Sequence, residues 1–200
     1  MARNAAATKR RILESAYALF YQKGFGRVGV DEIAEAAQIT KRTLYYHFAS
    51  KDDLLAEVLE LHHELAMARI QRFEHEYSGS AEERVARLFT ALAEWSSKPG
   101  WTASGFTRLA MELADLPGHP ARVIGRRHKR DVESWYAELL ANAGIADAAE
   151  LGRALALLAE GACVLVLIHG DRSYAESAKK IAISLVRAAR GKRRRPTKRK

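Results

Sequence analysis

Side chains able to bind DNA are concentrated in one short stretch, residues 40–48, and in the lysine that follows it at position 51. Lys and Arg can donate hydrogen bonds to guanine, and Thr can contact a base edge or a thymine methyl group. We predict that bases are read by Lys41, Arg42, Thr43, Tyr46 and His47, and that phosphates are contacted by Thr40, Tyr45 and Lys51. The spacing of Leu44 and Phe48 lets both pack inward behind this polar surface. The stretch therefore predicts a helix that enters the major groove of double-stranded DNA.

Other groupings of reactive side chains do not meet the requirements for catalysis or metal binding. Residues 24–29 fit the G-x-G-x-x-G dinucleotide pattern, but that pattern needs a preceding strand and the sequence predicts a helix there. His62 and His63 are adjacent, so they point to different helix faces, and no partner four residues away completes a metal site. No nucleophile has a base nearby in sequence. We therefore predict no enzyme activity, no cofactor and no metal ion.

The elements that must position the polar stretch are helices. Apolar residues recur at helical spacing along the chain and no segment alternates as a strand does, which predicts an all-α fold with about nine helices. Two short helices joined by a tight turn, with the small residues Ala34 and Ala37 where they meet, are typical of a helix-turn-helix. We predict a three-helix domain over residues 1–50, a helical body over residues 51–190 and a basic, disordered tail over residues 191–200.

Positive charge lies at the two ends of the chain. The net charge is +9, of which residues 1–50 carry +4 and residues 192–200 carry +7, so the remainder is slightly acidic at −2. This distribution fits phosphate contact by the ends. The tail could instead serve only to increase solubility. A single cysteine, Cys163, lies in an apolar run, which excludes an intrachain disulfide and suits a reducing compartment.

Residues 8–55 resemble the DNA-binding domain of the TetR (tetracycline-repressor-like) family of bacterial regulators. The matching pieces are Arg11-Ile12-Leu13 with Ala16 and Leu19-Phe20, Gly24-Phe25, Asp31-Glu32-Ile33-Ala34, Thr40 to Phe48, and Ser50-Lys51. The family usually has Thr and then Ser or Thr where this chain has Val28 and Gly29, and a turn glycine where it has Gln38. A hydroxyl cap and phosphate contact are therefore missing at the start of the second helix.

The resemblance implies a ligand pocket in the helical body and a dimer interface formed by the last two helices. Aromatic, apolar and polar residues of the middle helices either line this pocket or belong to the core; the candidates are Phe89, Leu92, Trp95, Trp101, Phe106, Leu109, Met111, Glu112, His128 and Trp135. The candidates for the dimer interface are Leu155, Leu158, Ala162, Leu165, Ile181 and Leu185.

These observations predict a cytoplasmic, ligand-responsive repressor that binds a palindromic operator as a homodimer, with an effector of unknown identity. The alternative is a basic helical module that binds nucleic acid or an acidic protein by charge and has no effector. We expect no association with a membrane. The apolar run 154–168 contains Glu160 and falls short of the roughly 18 residues that a membrane span requires.

Overall fold

The computed structural model describes residues 2–192, with side chains for residues 5–190, and over that part the chain is helical and contains no strand. The prediction of an all-α fold with about nine helices is confirmed. The helices are α1 (Ala2–Lys23), α2 (Val30–Ala36), α3 (Lys41–His47), α4 (Lys51–Glu76), α5 (Ala81–Trp95), α6 (Gly105–Glu112), α7 (Pro120–Asn142), α8 (Ala148–His169) and α9 (Ser173–Lys192).

The helices form two compact units, and the first consists of Met1–Arg69 and Ser104–His128. It contains α1–α3, α6 and parts of α4 and α7. Its core includes a buried stripe of α1 at helical spacing, formed by Ile12, Ala16 and Phe20. The same core includes the apolar side chains at the start of α4, which are Leu54, Leu55, Val58 and Leu59, and Leu109 of α6. The helix-turn-helix thus shares its core with α4 and α6.

The second unit consists of Ile70–Ala103 and Lys129–Lys200. Its core contains Phe89 of α5, Leu139 and Leu140 of α7, Leu155 of α8 and Ala182 of α9. Gly152 of α8 lies so close to α7 that an added Cβ would be 2.7 Å from the backbone nitrogen of Ala137. This glycine is therefore required by close helix packing and not by its backbone angles.

Helix α1 begins at Ala2, because the alanines before Thr8 favour helix. Two boundaries differ from the sequence prediction. Helix α9 extends to Lys192, two residues into the predicted tail, and residues 193–200 lie outside the described residues. The first compact unit extends beyond residue 50, since its core needs residues of α4 and α6. That residues 1–50 form a separate DNA-binding domain stays a prediction.

Helix α8 is longer than its apolar run suggested. Among the described residues it is the one helix with the length and composition to cross a membrane, so the expectation that this segment is too short is wrong. Leu151, Leu155 and Val166 of α8 are buried within the second unit.

Candidate nucleic-acid interface

The turn between α2 and α3 is held by backbone and side-chain hydrogen bonds. The amide of Ile39 donates to the carbonyl of Ala34 at 2.9 Å, and Gln38 has a φ of 52°, in the left-handed region. The side chain of Arg11 on α1 donates to the carbonyl of Ala37 at 2.8 Å. Helix α1 therefore fixes the turn directly, a contact that the sequence analysis did not identify.

Thr40 begins the predicted recognition helix. It is the N-cap of α3, and its hydroxyl accepts a hydrogen bond from the amide of Thr43 at 3.1 Å. The hydroxyl groups of Thr40 and Thr43 lie 2.9 Å apart. At the start of α2, by contrast, the N-cap is Gly29, which has no side chain to cap the helix. This is the consequence expected from a glycine where the family usually has a hydroxyl residue.

The two faces of α3 are separated as predicted. Leu44 and Phe48 are buried in the core of the first unit, and the small residues Ala34 and Ala37 are buried beneath the turn. The side chains that we predicted to contact DNA lie mostly outside: Thr40, Lys41, Arg42, Tyr45 and Tyr46 are exposed, and Thr43, His47 and Lys51 are partly exposed. The structure therefore leaves both cations of α3 accessible to a ligand.

The cations of this surface differ in their surroundings. The Lys41 ammonium donates to the carboxylate of Asp31 at 3.0 Å, and this hydrogen bond and the nearby negative charge raise the pKa of Lys41. Lys51 lies over the ring of Phe25, 4.1 Å from its centroid, and burial lowers the pKa of Lys51. Arg42 is exposed and has no ion-pair partner among the residues that the structure describes.

Helix α6 holds the end of α1 and the loop that follows it. The carboxylate of Glu112 accepts hydrogen bonds from the amide of Phe25, at 3.0 Å, and from the amide of Gly26. The guanidinium of Arg108 donates to the carbonyl of Tyr21 at 2.5 Å. We name Arg108 and Glu112, with these contacts, the α6 latch. Both lie beside a small cavity that is lined mainly by apolar side chains of α1, α4 and α6.

The ligand-pocket candidates fall in both compact units. In the first unit, Leu109 and Glu112 line the small cavity, and Phe106 stacks on the buried ring of His128 with centroids 3.9 Å apart. Met111 is 60% exposed, and its role in a pocket stays a prediction. The prediction missed this exposure because α6 buries only part of its apolar surface.

The candidates of the second unit are core or ring-contact residues. Phe89 is fully buried in the core, and Leu92 packs against that core. Trp135 is also buried there and donates its indole N–H to Glu74 at 3.0 Å. The rings of Trp95 and Trp101 meet edge to face with centroids 5.4 Å apart. Phe89 and Trp135 therefore lie in the core, and a pocket role for the candidates of this unit stays a prediction.

The dimer-interface candidates lie on both sides of α8 and α9. Leu165, Ile181 and Leu185 are exposed, and together with Leu158 and Ala162 they line an apolar groove between the two helices. Leu155 is fully buried against the chain's own core, so it is not part of this surface. Leu157 and Ile168 are also exposed on α8 and were not among the candidates. When a helix is apolar on all sides, helical spacing cannot predict which side faces outward.

The adjacent histidines contact different helices, as their spacing predicted. His62 stacks on Tyr17 of α1 with ring centroids 3.3 Å apart, and burial lowers the pKa of His62 to about 4. His63 meets His128 of α7, with their Nδ1 atoms 3.2 Å apart. No group of three metal-ligating side chains occurs within the part of the chain that the structure describes.

Comparison with known proteins places residues 12–58 in the family described as "Bacterial regulatory proteins, tetR family". The transcriptional regulator AcrR of Shigella flexneri is 43% identical over 54 residues, which cover 27% of this chain and 25% of AcrR. TtgR of Pseudomonas putida is 32% identical over 89 residues, which cover 42% of each protein. These curated relatives are thus matched over less than half of their length.

Similarity to solved structures extends over nearly the whole chain. The crystal structure of a TetR-family transcriptional regulator from Streptomyces coelicolor superposes with a TM-score of 0.83 and 28% identity, covering 92% of this chain and 96% of that one. A TetR-type regulator from Streptomyces avermitilis gives a TM-score of 0.73 and 26% identity, covering 88% of this chain and 97% of that one. The likeness therefore includes the helical body as well as the helix-turn-helix.

Proposed function

Because this chain belongs to the TetR family of bacterial regulatory proteins, we propose that it is a ligand-responsive repressor. It binds a palindromic operator as a homodimer. The observation that carries the proposal is the exposed polar face of α3, with Lys41 and Arg42 accessible and Leu44 anchoring the helix from behind. In this reading α3 enters the major groove.

The predicted DNA contacts are of two kinds, contacts to bases and contacts to phosphates. Arg42 and Lys41 donate to guanine, while Thr43, Tyr46 and His47 contact neighbouring base edges. Thr40, Tyr45 and Lys51 bind phosphates and fix the register of the helix on the duplex. Arg42 contributes most to sequence reading, because it is exposed and has no competing carboxylate among the described residues.

The proposed dimer forms through α8 and α9. Exposed leucine and isoleucine side chains on these helices give the chain an apolar surface that a second copy covers: Leu157, Leu165, Leu167, Ile168, Ile181 and Leu185. In the proposed dimer, two recognition helices enter successive major grooves of the operator, about 34 Å apart. The operator is therefore an inverted repeat.

The ligand response acts through the α6 latch. Because Arg108 and Glu112 bind the end of α1 and its following loop, a displacement of α6 changes how α1 supports the turn before α3. A small-molecule effector that binds more tightly to the displaced state lowers operator affinity by the same ratio. Candidate pocket residues are Phe106, Leu109 and His128. A regulator of this kind acts in the cytoplasm.

The DNA-binding proposal is tested with Arg42→Ala and a matched control, Arg126→Ala. Arg126 is an exposed arginine of α7, so its removal changes the net charge equally. A selection of bound DNA from a random library first gives the preferred site, and affinities are then measured for that site and for random duplex. We expect Arg42→Ala to lose most of the preference and Arg126→Ala to keep it. An equal, small loss of affinity on all DNA for both variants supports the basic binding module instead.

The dimer is tested by Ile181→Glu, with Val123→Glu as control. Ile181 on α9 and Val123 on α7 are 49% and 53% exposed, so the two substitutions differ mainly in the surface that they change. Sedimentation should show a monomer for Ile181→Glu and a dimer for Val123→Glu and the unmodified chain. A monomeric unmodified chain contradicts the proposal.

The basic tail adds sequence-independent affinity for DNA. Residues 192–200 carry seven basic and no acidic side chains. Deleting them should flatten the dependence of log affinity on log salt, because each lost phosphate contact reduces the slope by about 0.9. An unchanged slope rejects this role for the tail.

A further inference from the structure

The ion pair between Lys41 and Asp31 joins the two helices of the helix-turn-helix at its exposed surface. Asp31 lies in the first turn of α2, and Lys41 is the first residue of α3. Their side chains are 76% and 50% exposed, and the ammonium lies 3.0 Å from the carboxylate. An exposed pair of this kind contributes little to the stability of the fold. Its effect must therefore be sought in what Lys41 binds.

The carboxylate changes what Lys41 can offer to DNA. An ammonium group has three N–H donors, and one of them is directed at Asp31 in this structure. The pair has no net charge, so Lys41 gains less from contact with a phosphate than a lone lysine gains. Arg42, the next residue, has no ion-pair partner in the described part of the chain and keeps its full charge.

We propose that Asp31 is a specificity-determining residue for DNA, because it directs the Lys41 ammonium to base acceptors and disfavours phosphate contact. This inference rests on the proposed function. On the operator, the remaining donors of Lys41 meet guanine acceptors while Asp31 keeps the third. On random DNA no such acceptors are in place, and the carboxylate repels the phosphates. Asp31 thus weakens binding to random sequence more than binding to the operator.

The test compares Asp31→Asn with Glu35→Gln. Glu35 is an exposed carboxylate on the same helix, one turn later, and it has no ion-pair partner within the described residues. Both variants remove one negative charge from α2, but only Asp31→Asn releases Lys41. Affinities of the dimer for the selected operator and for random duplex of equal length are measured over a series of salt concentrations, and thermal unfolding checks that both variants fold.

For Asp31→Asn we expect tighter binding to random DNA and a log–log salt dependence steeper by about one, because Lys41 then neutralises one phosphate more. The ratio of operator affinity to random affinity should fall by up to about five-fold, the range of an exposed ion pair. Glu35→Gln should leave the ratio within two-fold of the unmodified protein. In a Lys41→Gln background, Asp31→Asn should have no more effect than Glu35→Gln.

Three results overturn the inference alone. The first is an operator-to-random ratio that Asp31→Asn does not change, and the second is an effect of Asp31→Asn that persists without Lys41. The third is equal effects of Asp31→Asn and Glu35→Gln, which would make Asp31 only a general negative charge. If the unmodified protein has no preference for any DNA site, the proposed function fails as well. The two failures are therefore distinguishable by the behaviour of the unmodified protein.

Discussion

The α6 latch can be weakened by the single substitution Glu112→Gln. The carboxylate accepts hydrogen bonds from the amides of Phe25 and Gly26, one on each oxygen. A glutamine keeps one carbonyl acceptor, so one of the two amides faces an NH₂ group and loses its partner. A hydrogen bond to a charged group contributes about 1.5–3 kcal/mol. Because Glu112 is exposed, we expect Glu112→Gln to destabilise the hydrogen-bonded state of the loop after α1 by about 1–2 kcal/mol.

The assay is amide hydrogen exchange followed by NMR. Amides of the loop after α1 exchange only when the loop opens locally. A loss of about 1–2 kcal/mol in the free energy of opening therefore corresponds to roughly 5–30-fold faster exchange at Phe25 or Gly26. Amides in the core of α8, such as that of Leu155, should not change. Asp115→Asn, which alters an exposed carboxylate just beyond α6, is the control and should leave both loop amides unaffected. Equal exchange rates at Phe25 and Gly26 in Glu112→Gln and the unmodified chain would refute the latch.

Three other predictions concern backbone, packing and pH. Gln38→Gly should stabilise the chain by about 0.5–1 kcal/mol in urea unfolding, because glycine relieves the left-handed φ of 52°. Gly152→Ala should lower the thermal midpoint and destabilise the chain by about 1–3 kcal/mol, since its Cβ would overlap Ala137, whereas Gly118→Ala, with open space around it, should not. Burial lowers the pKa of His62 to about 4 in the folded chain, below the ordinary pKa of 6.5 that it has in the unfolded chain. Between pH 4 and pH 6.5 the unfolded chain therefore binds a proton at His62 that the folded chain does not. Stability should therefore fall by about 1–2 kcal/mol from pH 6.5 to pH 4, after allowance for partial exposure, and His62→Gln should reduce that dependence.

Local features of the helix-turn-helix could be predicted from sequence because each depends on nearby residues. The four-residue spacing of Leu44 and Phe48 gives the buried side of α3, and Thr40 has the side chain that caps a helix. The missing cap at Gly29 follows directly from its lack of a side chain. These features need no knowledge of the rest of the chain.

Contacts between distant segments could not be predicted in the same way. Glu112 and Phe25 are 87 residues apart, and nothing in the local pattern of α6 indicates that its last residue accepts hydrogen bonds from that loop. Leu155 and Leu165 belong to one apolar helix, yet the first is buried in the core and the second is exposed. The periodicity of α8 is weak because nearly every position is apolar, so the outward side is visible only once α9 and α5 are in place.

In the proposed dimer, the exposed aliphatic residues of α8 and α9 make the stability of the folded chain depend on its concentration. A protomer in isolation presents Leu157 and Ile168 to water, which favours adhesion to other unfolded or partly folded chains. Pairing in the proposed dimer would remove that surface, and mass action would then add the free energy of association to that of folding. If the dimer forms as proposed, dilution should lower the melting temperature, and a cell that makes few copies should retain proportionally fewer folded molecules than one that makes many.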